Sequence, residues 1–293
     1  KPYCPNSFCV SKKLEPKVSK FGSYFRPSDS RYIPRFRCLH CYKSFSSATF
    51  DLAYRQKKRR INSPLRKLLC SGVSQRRSAL ILGVNVKTIA RKLIFLSLKA
   101  QLDHQKFLHH FTNNYHHKLH SIQFDDLVTS EHSKCKPISV TLAVDVINRK
   151  ILGLEVSSMP AFGHLAKISM EKYGKRKDHR KLGIENLFKT ISPLLDPKVS
   201  ITSDMHPFYL PKVKKHFPDA KYCQVERGRG CIAGQGELKK LKYDPLFSLN
   251  HTCAMLRANI NRLFRKTWCT TKKMDRLKDH LMVYMDFHNR VLT

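Results

Sequence analysis

Residues 121–127 read SIQFDDL, a run that alternates apolar and polar side chains before two adjacent carboxylates. Two more runs rich in branched aliphatic residues follow, VTLAVDV at 140–146 and ILGLEV at 151–156, joined by residues 147–150. Runs of this length and composition are typical of β-strands. The sequence therefore predicts three consecutive strands, with Asp125 and Asp126 at the end of the first.

Helices and strands alternate in the rest of the chain, after a basic, loop-like stretch. The alternating elements are predicted helices at residues 183–195 and 207–217, predicted strands at 198–204 and 220–226, and predicted helices at 247–267 and 273–289. Three strands followed by alternating helices and strands are the element order of an α/β, ribonuclease-H-like fold with a mixed sheet. We interpret residues 121–293 as a catalytic domain of this class.

Carboxylates close the first and fourth predicted strands, at Asp125 and Asp204. In a ribonuclease-H-like sheet these two ends meet at the centre. Two carboxylates held together are costly unless they bind a cation, and Mg²⁺ prefers oxygen ligands. Two Mg²⁺ or Mn²⁺ ions there could promote attack on a phosphodiester and stabilise the leaving oxygen. The alternative is that both aspartates only form ion pairs with neighbouring Lys or Arg residues.

Four cysteines near the start of the chain form two pairs, Cys4 with Cys9 and Cys38 with Cys41. Two pairs about 30 residues apart suit a tetrahedral Zn²⁺ site, because each pair forms a knuckle and the knuckles converge. A segment this short needs the metal to fold. We predict a zinc ribbon over residues 1–50. His40 as a ligand, or buried cysteines without metal, are the alternatives.

Residues 51–120 predict a helix-turn-helix domain with a linker helix. A helix at 64–69 precedes one at 75–82, capped by Ser74 and facing inward through Ala79 and Leu80, and Asn85 caps a third that opens at Val86. The buried face of the third helix is expected to comprise Ile89, Leu93, Leu96 and Leu98. Its N-terminal end would enter the major groove of DNA. The predicted DNA contacts of this helix are Lys87, Thr88, Arg91 and Lys92. A three-helix packing unit with a solvated basic face is the alternative.

The charge balance points to a polyanionic partner. Lys and Arg number 56 against 21 Asp and Glu, a formal net charge of +35. Nucleic acid is the commonest partner of so basic a chain. The longest apolar stretch, around residues 93–98, is too short to span a bilayer, so no membrane partner is expected. Ten cysteines without a visible secretory signal favour a reducing, cytoplasmic location.

Residues outside the predicted active site could also contact DNA. Two long basic stretches are expected to bind DNA that flanks the site, with a solvated surface as the alternative. They comprise Lys172, Lys175, Arg176, Lys177, Arg180 and Lys181 in the first, and Arg227, Arg229, Lys239, Lys240 and Lys242 in the second. Trp268, the one tryptophan, is expected to pack in the core, with stacking on a base as the alternative.

Three segments resemble a known family. Residues 36–46, residues 203–209 and the block that begins at residues 245–250 and runs to residue 267 are similar to compact bacterial insertion-sequence transposases of the DDE superfamily, and the resemblance covers nearly the whole chain. It implies Asp125 and Asp204 as the first two catalytic carboxylates, with Asp126 and Asp145 as fallbacks for the first. It also implies binding of terminal inverted repeats in double-stranded DNA, metal-dependent strand cleavage and transfer, and a homo-oligomer on DNA.

The third catalytic position departs from the family pattern. A DDE enzyme offers Glu on the last catalytic helix, whereas residues 247–267 contain no acidic residue. The resemblance places Asn250 at that position, and an amide oxygen can still ligate Mg²⁺. The alternative is that Asn250 acts only as the N-cap of the helix. Arg257, two turns along, would face the same side and could hold a scissile phosphate.

The sequence is compatible with two other functions. The missing third carboxylate is compatible with a catalytically inactive DNA-binding regulator derived from a transposase. A nuclease or resolvase could also be built on the same fold. The DNA products distinguish the three functions. A transposase joins strands, a nuclease or resolvase only cuts them, and a regulator does neither.

Overall fold

The chain divides into two compact units, residues 1–65 and residues 66–293. The structure, a computed structural model, describes residues 2–10, 17–113, 118–226, 244–264 and 267–292. The first unit holds the four clustered cysteines. The second begins at Arg66, inside the region 51–120 predicted as a helix-turn-helix domain, and holds the rest of that region and the predicted catalytic residues.

The first unit is built on a small antiparallel sheet. Its strands are β1 (Val18–Arg26), β2 (Arg31–Cys38) and β3 (Ser44–Ser46), in the order β1-β2-β3. The β1–β2 turn is braced by Arg26, whose guanidinium bonds the Asp29 carboxylate. The buried cluster around the cysteines is small and consists of Cys4, Cys9, Cys38 and Phe45. A core of this size cannot stabilise a fold without further help.

Three helices open the second part of the chain: α1 (Asn62–Leu69), α2 (Gln75–Ile81) and α3 (Val86–Asn113). Two predicted caps are confirmed, because Ser74 Oγ accepts from the Arg77 N–H at 3.3 Å and Asn85 Oδ1 accepts from the Lys87 N–H at 2.8 Å. Gly83 supplies the left-handed turn between α2 and α3 with φ +59°.

Two expected core residues of these helices are exposed. Leu80 is 83% exposed, since α2 presents the small residues Ser78 and Ala79 as its buried face instead. Leu98 is half exposed, because the buried face of α3 continues through Ser97 and Ala100. The predictions that Leu80 and Leu98 are buried were wrong for the same reason. A hydrophobic side chain one position away from the packed face of a helix stays in solvent.

A five-stranded mixed sheet forms the centre of the second unit, in the order β6-β5-β4-β7-β8. The strands are β4 (Leu119–Ser130), β5 (Pro137–Asp145), β6 (Ile151–Ser158), β7 (Leu195–Asp204) and β8 (Lys221–Val225). β4, β5 and β6 are antiparallel neighbours, whereas β7 and β8 run parallel to β4. The predicted α/β class with a mixed sheet is confirmed.

The first strand of this sheet is longer than predicted. β5 pairs with β4 as far as Ser130, which lies opposite Pro137. Asp125 and Asp126 therefore lie inside β4 and not at its end. The pairing of β4 with β7 is shorter and extends only to Gln123 and Thr202.

The later helices are α4 (Leu165–Tyr173), α5 (Arg180–Ile191), α6 (Tyr209–His216), α7 (Phe247–Asn259) and α8 (Met274–Phe287). α4 occupies part of the stretch expected to be a loop, and α7 ends well before residue 267, because Ile260 leaves the helical conformation with φ −106° and ψ 107°. α5 and α6 bury Phe124 and its neighbours on one side of the sheet, and α7 lies against β4 and β5. Of the helices that the structure describes, none is long and apolar enough to cross a membrane.

Candidate functional site

Asp125 and Asp204 lie on adjacent parallel strands and on the same face of the sheet. Gln123 of β4 is paired with Thr202 of β7, and each aspartate lies two residues further along its strand. Because side chains alternate between faces along a strand, both aspartates share the face of Gln123 and Thr202. Asp125 is 7% exposed and Asp204 8% exposed. The structure thus brings the two predicted carboxylates together, in a largely desolvated setting.

A buried tyrosine contacts this pair. The Tyr209 hydroxyl donates to Asp125 Oδ1 at 3.1 Å. Burial raises the pKa of Tyr209, and the negative charges of Asp126, Asp125 and Asp204 raise it further. All three carboxylates therefore lie within electrostatic reach of one phenol, which stays a hydrogen-bond donor.

Asp126, the fallback for the first carboxylate, points to the opposite face of the sheet from Asp125. Its carboxylate accepts from the Thr141 hydroxyl on the neighbouring strand. Burial raises the pKa of Asp126, while the hydroxyls of Thr141 and Ser139 and the charge of Arg180 act in the other direction. Asp126 is thus held within the sheet, behind the face that carries Asp125 and Asp204.

Asp145, the second fallback, belongs to a turn. It ends β5 opposite Ile122, on the core face of β4. Its Oδ1 accepts from the Ile147 N–H at 3.1 Å, and its own N–H bonds the Lys150 carbonyl. The carboxylate therefore stabilises the β5–β6 connection.

α7 is fixed to β4 by one glutamine side chain. Gln123 Oε1 accepts from the Leu249 N–H at 2.9 Å, and Gln123 Nε2 donates to the Pro245 carbonyl at 2.8 Å. Ser248 Oγ donates to the Val146 carbonyl at 2.8 Å and adds a second attachment. Because Gln123 lies two residues before Asp125 on the same face, this clamp places the first turn of α7 beside the carboxylate pair.

Asn250 lies within that first turn and is not the helix N-cap, since α7 begins at Phe247 with Leu246 as its N-cap. The interpretation as a cap was wrong for this reason. Asn250 is exposed, and its Nδ2 donates to Asp244 Oδ2 at 2.9 Å. The other oxygen of Asp244 accepts from the Leu246 N–H at 2.9 Å. Asp244 thus binds the amide nitrogen of Asn250 and leaves the amide oxygen as the atom available to a ligand.

The predicted DNA contacts of α3 separate into two groups. Lys87 and Arg91 are exposed and Thr88 is partly exposed. Lys92 is 4% exposed, so its prediction as a surface contact was wrong. It lies next to Leu93 on the packed face of α3, one position away from the exposed Arg91.

The basic stretches are also divided by the structure. Arg176 is a structural residue, because its guanidinium donates to the Met159 carbonyl at 3.3 Å and lies 3.8 Å from Glu131. Lys177 is exposed. Arg257 lies two turns after Asn250 on α7 and is partly buried. Arg229 and Lys239, together with residues 227–243 as a whole, lie outside the described residues.

The four predicted cysteines converge in the first unit. The Sγ atoms of Cys4, Cys9, Cys38 and Cys41 all lie within 4.8 Å of one another. Cys4 Sγ lies 3.5 Å from Cys41 Sγ, and Cys9 Sγ lies 3.7 Å from Cys38 Sγ. A disulfide requires about 2.05 Å, whereas four thiolates about 2.3 Å from one ion are about 3.8 Å apart. The cluster therefore has the geometry of a site that could hold a metal ion.

The second knuckle favours thiolates. Burial alone would raise the pKa of Cys38, but the backbone N–H groups of Cys41 and His40 lower it to about 6. The backbone N–H of Lys43 lowers the pKa of Cys41. Burial raises the pKa of Cys4 to about 12. Backbone donors directed at sulfur are what a metal-binding knuckle supplies, because the ligand is the deprotonated thiol.

Three residues of the carboxylate site were not predicted from the sequence: Gln123, Tyr209 and Asp244. Gln123 carried a detectable signal, since it is a polar residue between the apolar Ile122 and Phe124, two positions before Asp125. Tyr209 lay in a predicted helix with nothing to mark it as a partner of a residue 84 positions earlier. Asp244 immediately precedes the segment that contains Asn250.

Comparison with known proteins gives no family assignment. The sequence matches no protein-family model and no curated protein.

Proposed function

We propose that the protein is a DNA transposase of the DDE type in which Asn250 replaces the third carboxylate. The placement of Asp125 and Asp204 on one face of adjacent parallel strands carries this proposal. A ribonuclease-H-like assignment of the domain is supported by the strand order β6-β5-β4-β7-β8, in which β6, β5 and β4 are antiparallel and β7 and β8 run parallel to β4. The formal charge of +35 supports DNA as the substrate.

The donor set fits divalent cations. Two carboxylates and an amide oxygen are hard oxygen ligands of the kind that Mg²⁺ and Mn²⁺ take. Two bound ions would supply Lewis-acid stabilisation of the attacking and leaving oxygens of a phosphodiester. Without cations, two nearly buried carboxylates on neighbouring strands would repel each other, which is a reason for this sequence to bind them.

The residues around these ligands have positioning roles. Gln123 holds α7 against β4, and Tyr209 fixes one oxygen of Asp125. Asp244 orients the Asn250 amide so that its oxygen is presented. A rigid ligand set of this kind places a phosphodiester for in-line displacement by water or a 3′-hydroxyl.

The remaining parts of the chain would bind and hold DNA. We assign Zn²⁺ to the four-cysteine cluster as a structural ion. Lys87 and Arg91 at the start of α3 are assigned to the major groove of terminal repeats, as in a helix-turn-helix. Transposition joins two DNA ends, so a homo-oligomer on DNA follows. None of the nine cysteines that the structure describes forms a disulfide, which fits a reducing bacterial cytoplasm.

The decisive experiment is a strand-transfer assay. The DNA segments that flank the coding sequence supply the candidate terminal repeats, and a supercoiled plasmid serves as target in Mg²⁺ or Mn²⁺. Asp125→Asn and Asp204→Asn should abolish joined products, and Asn250→Ala should reduce them strongly. Asp126→Asn should retain them, because that side chain lies on the other face of the sheet. Asp219→Asn, an exposed aspartate, is the control of matched charge.

The products separate the alternatives. Joined strands that depend on Asp125 and Asp204 establish the transposase, whereas cut strands without joining indicate a nuclease or resolvase. Specific binding without cleavage in either metal would indicate a regulator, which the absence of any acidic residue in α7 favours as the second candidate. Loss of activity in Asp126→Asn with retention in Asp125→Asn would exclude our assignment of the first carboxylate.

A further inference from the structure

Trp268 lies on the surface of the second unit. The indole is 76% exposed, and its position in a short turn (Thr267–Cys269) after α7 keeps it out of the core. The expectation of core packing was therefore wrong. A tryptophan is rarely left so exposed, since it is a large apolar group whose burial is favourable. The exposed indole is therefore a candidate for contact with a ligand.

Trp268 lines a mostly apolar cavity of about 660 Å³. Its walls include Phe162, itself 67% exposed, and residues 127–130 at the outer end of β4. Arg257 of α7 lines the same cavity. Two aromatic rings and a guanidinium provide flat surfaces of the kind on which nucleobases stack.

Trp268 also lines a second cavity of about 820 Å³, whose wall includes four basic side chains. Its basic lining residues are Arg76, Arg77, Arg262 and Lys272, and no carboxylate is among the described residues that line it. Arg262 is held in place by a bond from its Nη1 to Thr271 Oγ1 at 3.0 Å. Phe264 and Thr270, like Trp268, line both cavities, so the two cavities adjoin at these side chains. Four cations at such a site match the charge of phosphate groups.

We propose that Trp268 is the centre of a nucleotide site that takes an unstacked nucleotide of a DNA strand, its base in the apolar cavity and its flanking phosphates in the basic one. This proposal rests on the proposed function in one respect only, namely that the ligand is DNA. Leu127 at its edge lies two residues beyond Asp125 on β4, a distance of about 7 Å along the strand. A strand that enters the carboxylate site would therefore pass close to the wall of the apolar cavity that Leu127 and Trp268 both line. Holding a base out of the stack there would keep the scissile strand separated from its complement.

The chain carries one tryptophan, so intrinsic fluorescence reports on this site directly. The probe is a twelve-residue oligothymidylate without added Mg²⁺. Its matched control is a base-free oligomer with the same number of phosphates, and a thymidylate–adenylate duplex is the third probe. We expect saturable quenching by the oligothymidylate and little quenching by the other two. Equal quenching by the duplex, or none by any probe, would overturn the proposal.

Variants test the two halves of the site separately, with anisotropy of a labelled oligothymidylate as the readout. Trp268→Leu should weaken binding roughly tenfold, the effect of losing one base–aromatic stack. Lys272→Gln should weaken binding of the oligothymidylate and of the base-free oligomer alike. It should also reduce the slope of log Kd against log salt concentration by about the amount expected for one phosphate contact. Leu102→Ala, another partly exposed apolar residue, should leave binding unchanged. Binding by Trp268→Leu equal to that of the wild type would contradict the proposal.

This test fails independently of the strand-transfer assay. Quenching that persists in Asp125→Asn, or in a protein that joins no strands, would leave the nucleotide site standing without the transposase. Strand transfer without quenching would leave the transposase standing without the site.

Discussion

The Tyr209 hydroxyl donates to Oδ1 of Asp125 at 3.1 Å, and both side chains are almost completely buried. Tyr209 opens α6, five residues after Asp204 ends β7. One hydrogen bond therefore connects the strand of the first carboxylate with the segment that follows the second. Its strength depends on the phenol remaining protonated, which burial and the nearby carboxylates ensure by raising the pKa of Tyr209.

Tyr209→Phe should weaken the affinity for Mg²⁺ more than it destabilises the fold. Without the hydroxyl, Asp125 loses the partner that fixes one of its oxygens, and loss of such an outer partner typically weakens metal affinity about 10- to 100-fold. We expect strand transfer to need a correspondingly higher Mg²⁺ concentration for half-maximal rate. A Mg²⁺ titration of the rate measures this effect.

The control for this variant is Tyr284→Phe, which removes a buried hydroxyl that bonds Asn259 instead of a carboxylate. It should leave the Mg²⁺ dependence unchanged. If Tyr209→Phe also showed the Mg²⁺ dependence of the wild type, the hydroxyl would have no positioning role.

The sequence predicted the strands of the second unit, among them the two that carry Asp125 and Asp204, and its helices other than α4. Hydrophobic runs along each strand are local signals, and the aspartates follow or interrupt them. Whether Asp125 or Asp126 joins Asp204 was not predictable in this way, because the two are adjacent. The register between β4 and β7 decides it, and register is a property of two strands separated by more than 60 residues.

Other residues escaped prediction because their surroundings are set by tertiary packing. Lys92 and Arg91 are neighbours in a basic helix, but only the packing around α3 makes one buried and the other exposed. Gln123 is an ordinary polar residue until α7 packs on β4. The cysteine cluster was predictable as a set, because the spacing of metal ligands is constrained by the ion itself.

The first unit should depend on zinc for its folding. Its core is small, and structural Zn²⁺ contributes on the order of 10 kcal/mol or more to folding in small metal-binding modules. We expect about one zinc per chain by elemental analysis of the purified protein. Cys38→Ser should lose that zinc and become sensitive to proteolysis within residues 1–65.

Cys223→Ser is the matched control, because Cys223 is an exposed thiol on β8, outside the cluster. It should keep both the zinc and the proteolytic pattern of the wild type. Full zinc content in Cys38→Ser would show that the cluster is not the metal site.

Acid should destabilise the second unit through His280. Its Nε2–H donates to the Leu69 carbonyl at 2.9 Å, and burial, together with the charge of Arg262, lowers the pKa of His280 to about 4. The native state therefore binds fewer protons than the unfolded chain, whose histidine has a pKa of about 6.5. The contribution of His280 to the free energy of unfolding is complete above pH 6.5. As the pH falls from 6.5 to 4, this contribution decreases by up to about 1.4 kcal/mol per pH unit.

His280→Gln should reduce this slope, since an amide can still donate to the Leu69 carbonyl and does not titrate. Burial also lowers the pKa of His104 to about 4, so the double variant with His104→Gln should reduce the slope twice as much. Urea unfolding at several pH values, followed by circular dichroism, measures both effects. A slope in His280→Gln identical to that of the wild type would mean that the imidazole is not buried in its neutral form.

Arg91 and Lys92 provide the sharpest test of the DNA-binding face of α3. Arg91 is exposed, so Arg91→Ala should weaken binding to duplex DNA several-fold and reduce the salt dependence of log Kd by about 0.9 if one phosphate contact is lost. Lys92 is 4% exposed, so Lys92→Ala removes a packed side chain and should lower the free energy of unfolding by about 1 to 3 kcal/mol. Its salt dependence should match that of the wild type. Two adjacent cations of equal charge would then separate into one that acts on DNA affinity and one that acts on stability. If both variants lowered the salt dependence equally, α3 would be turned relative to the packing described above, and Lys92 would return to the DNA-binding surface.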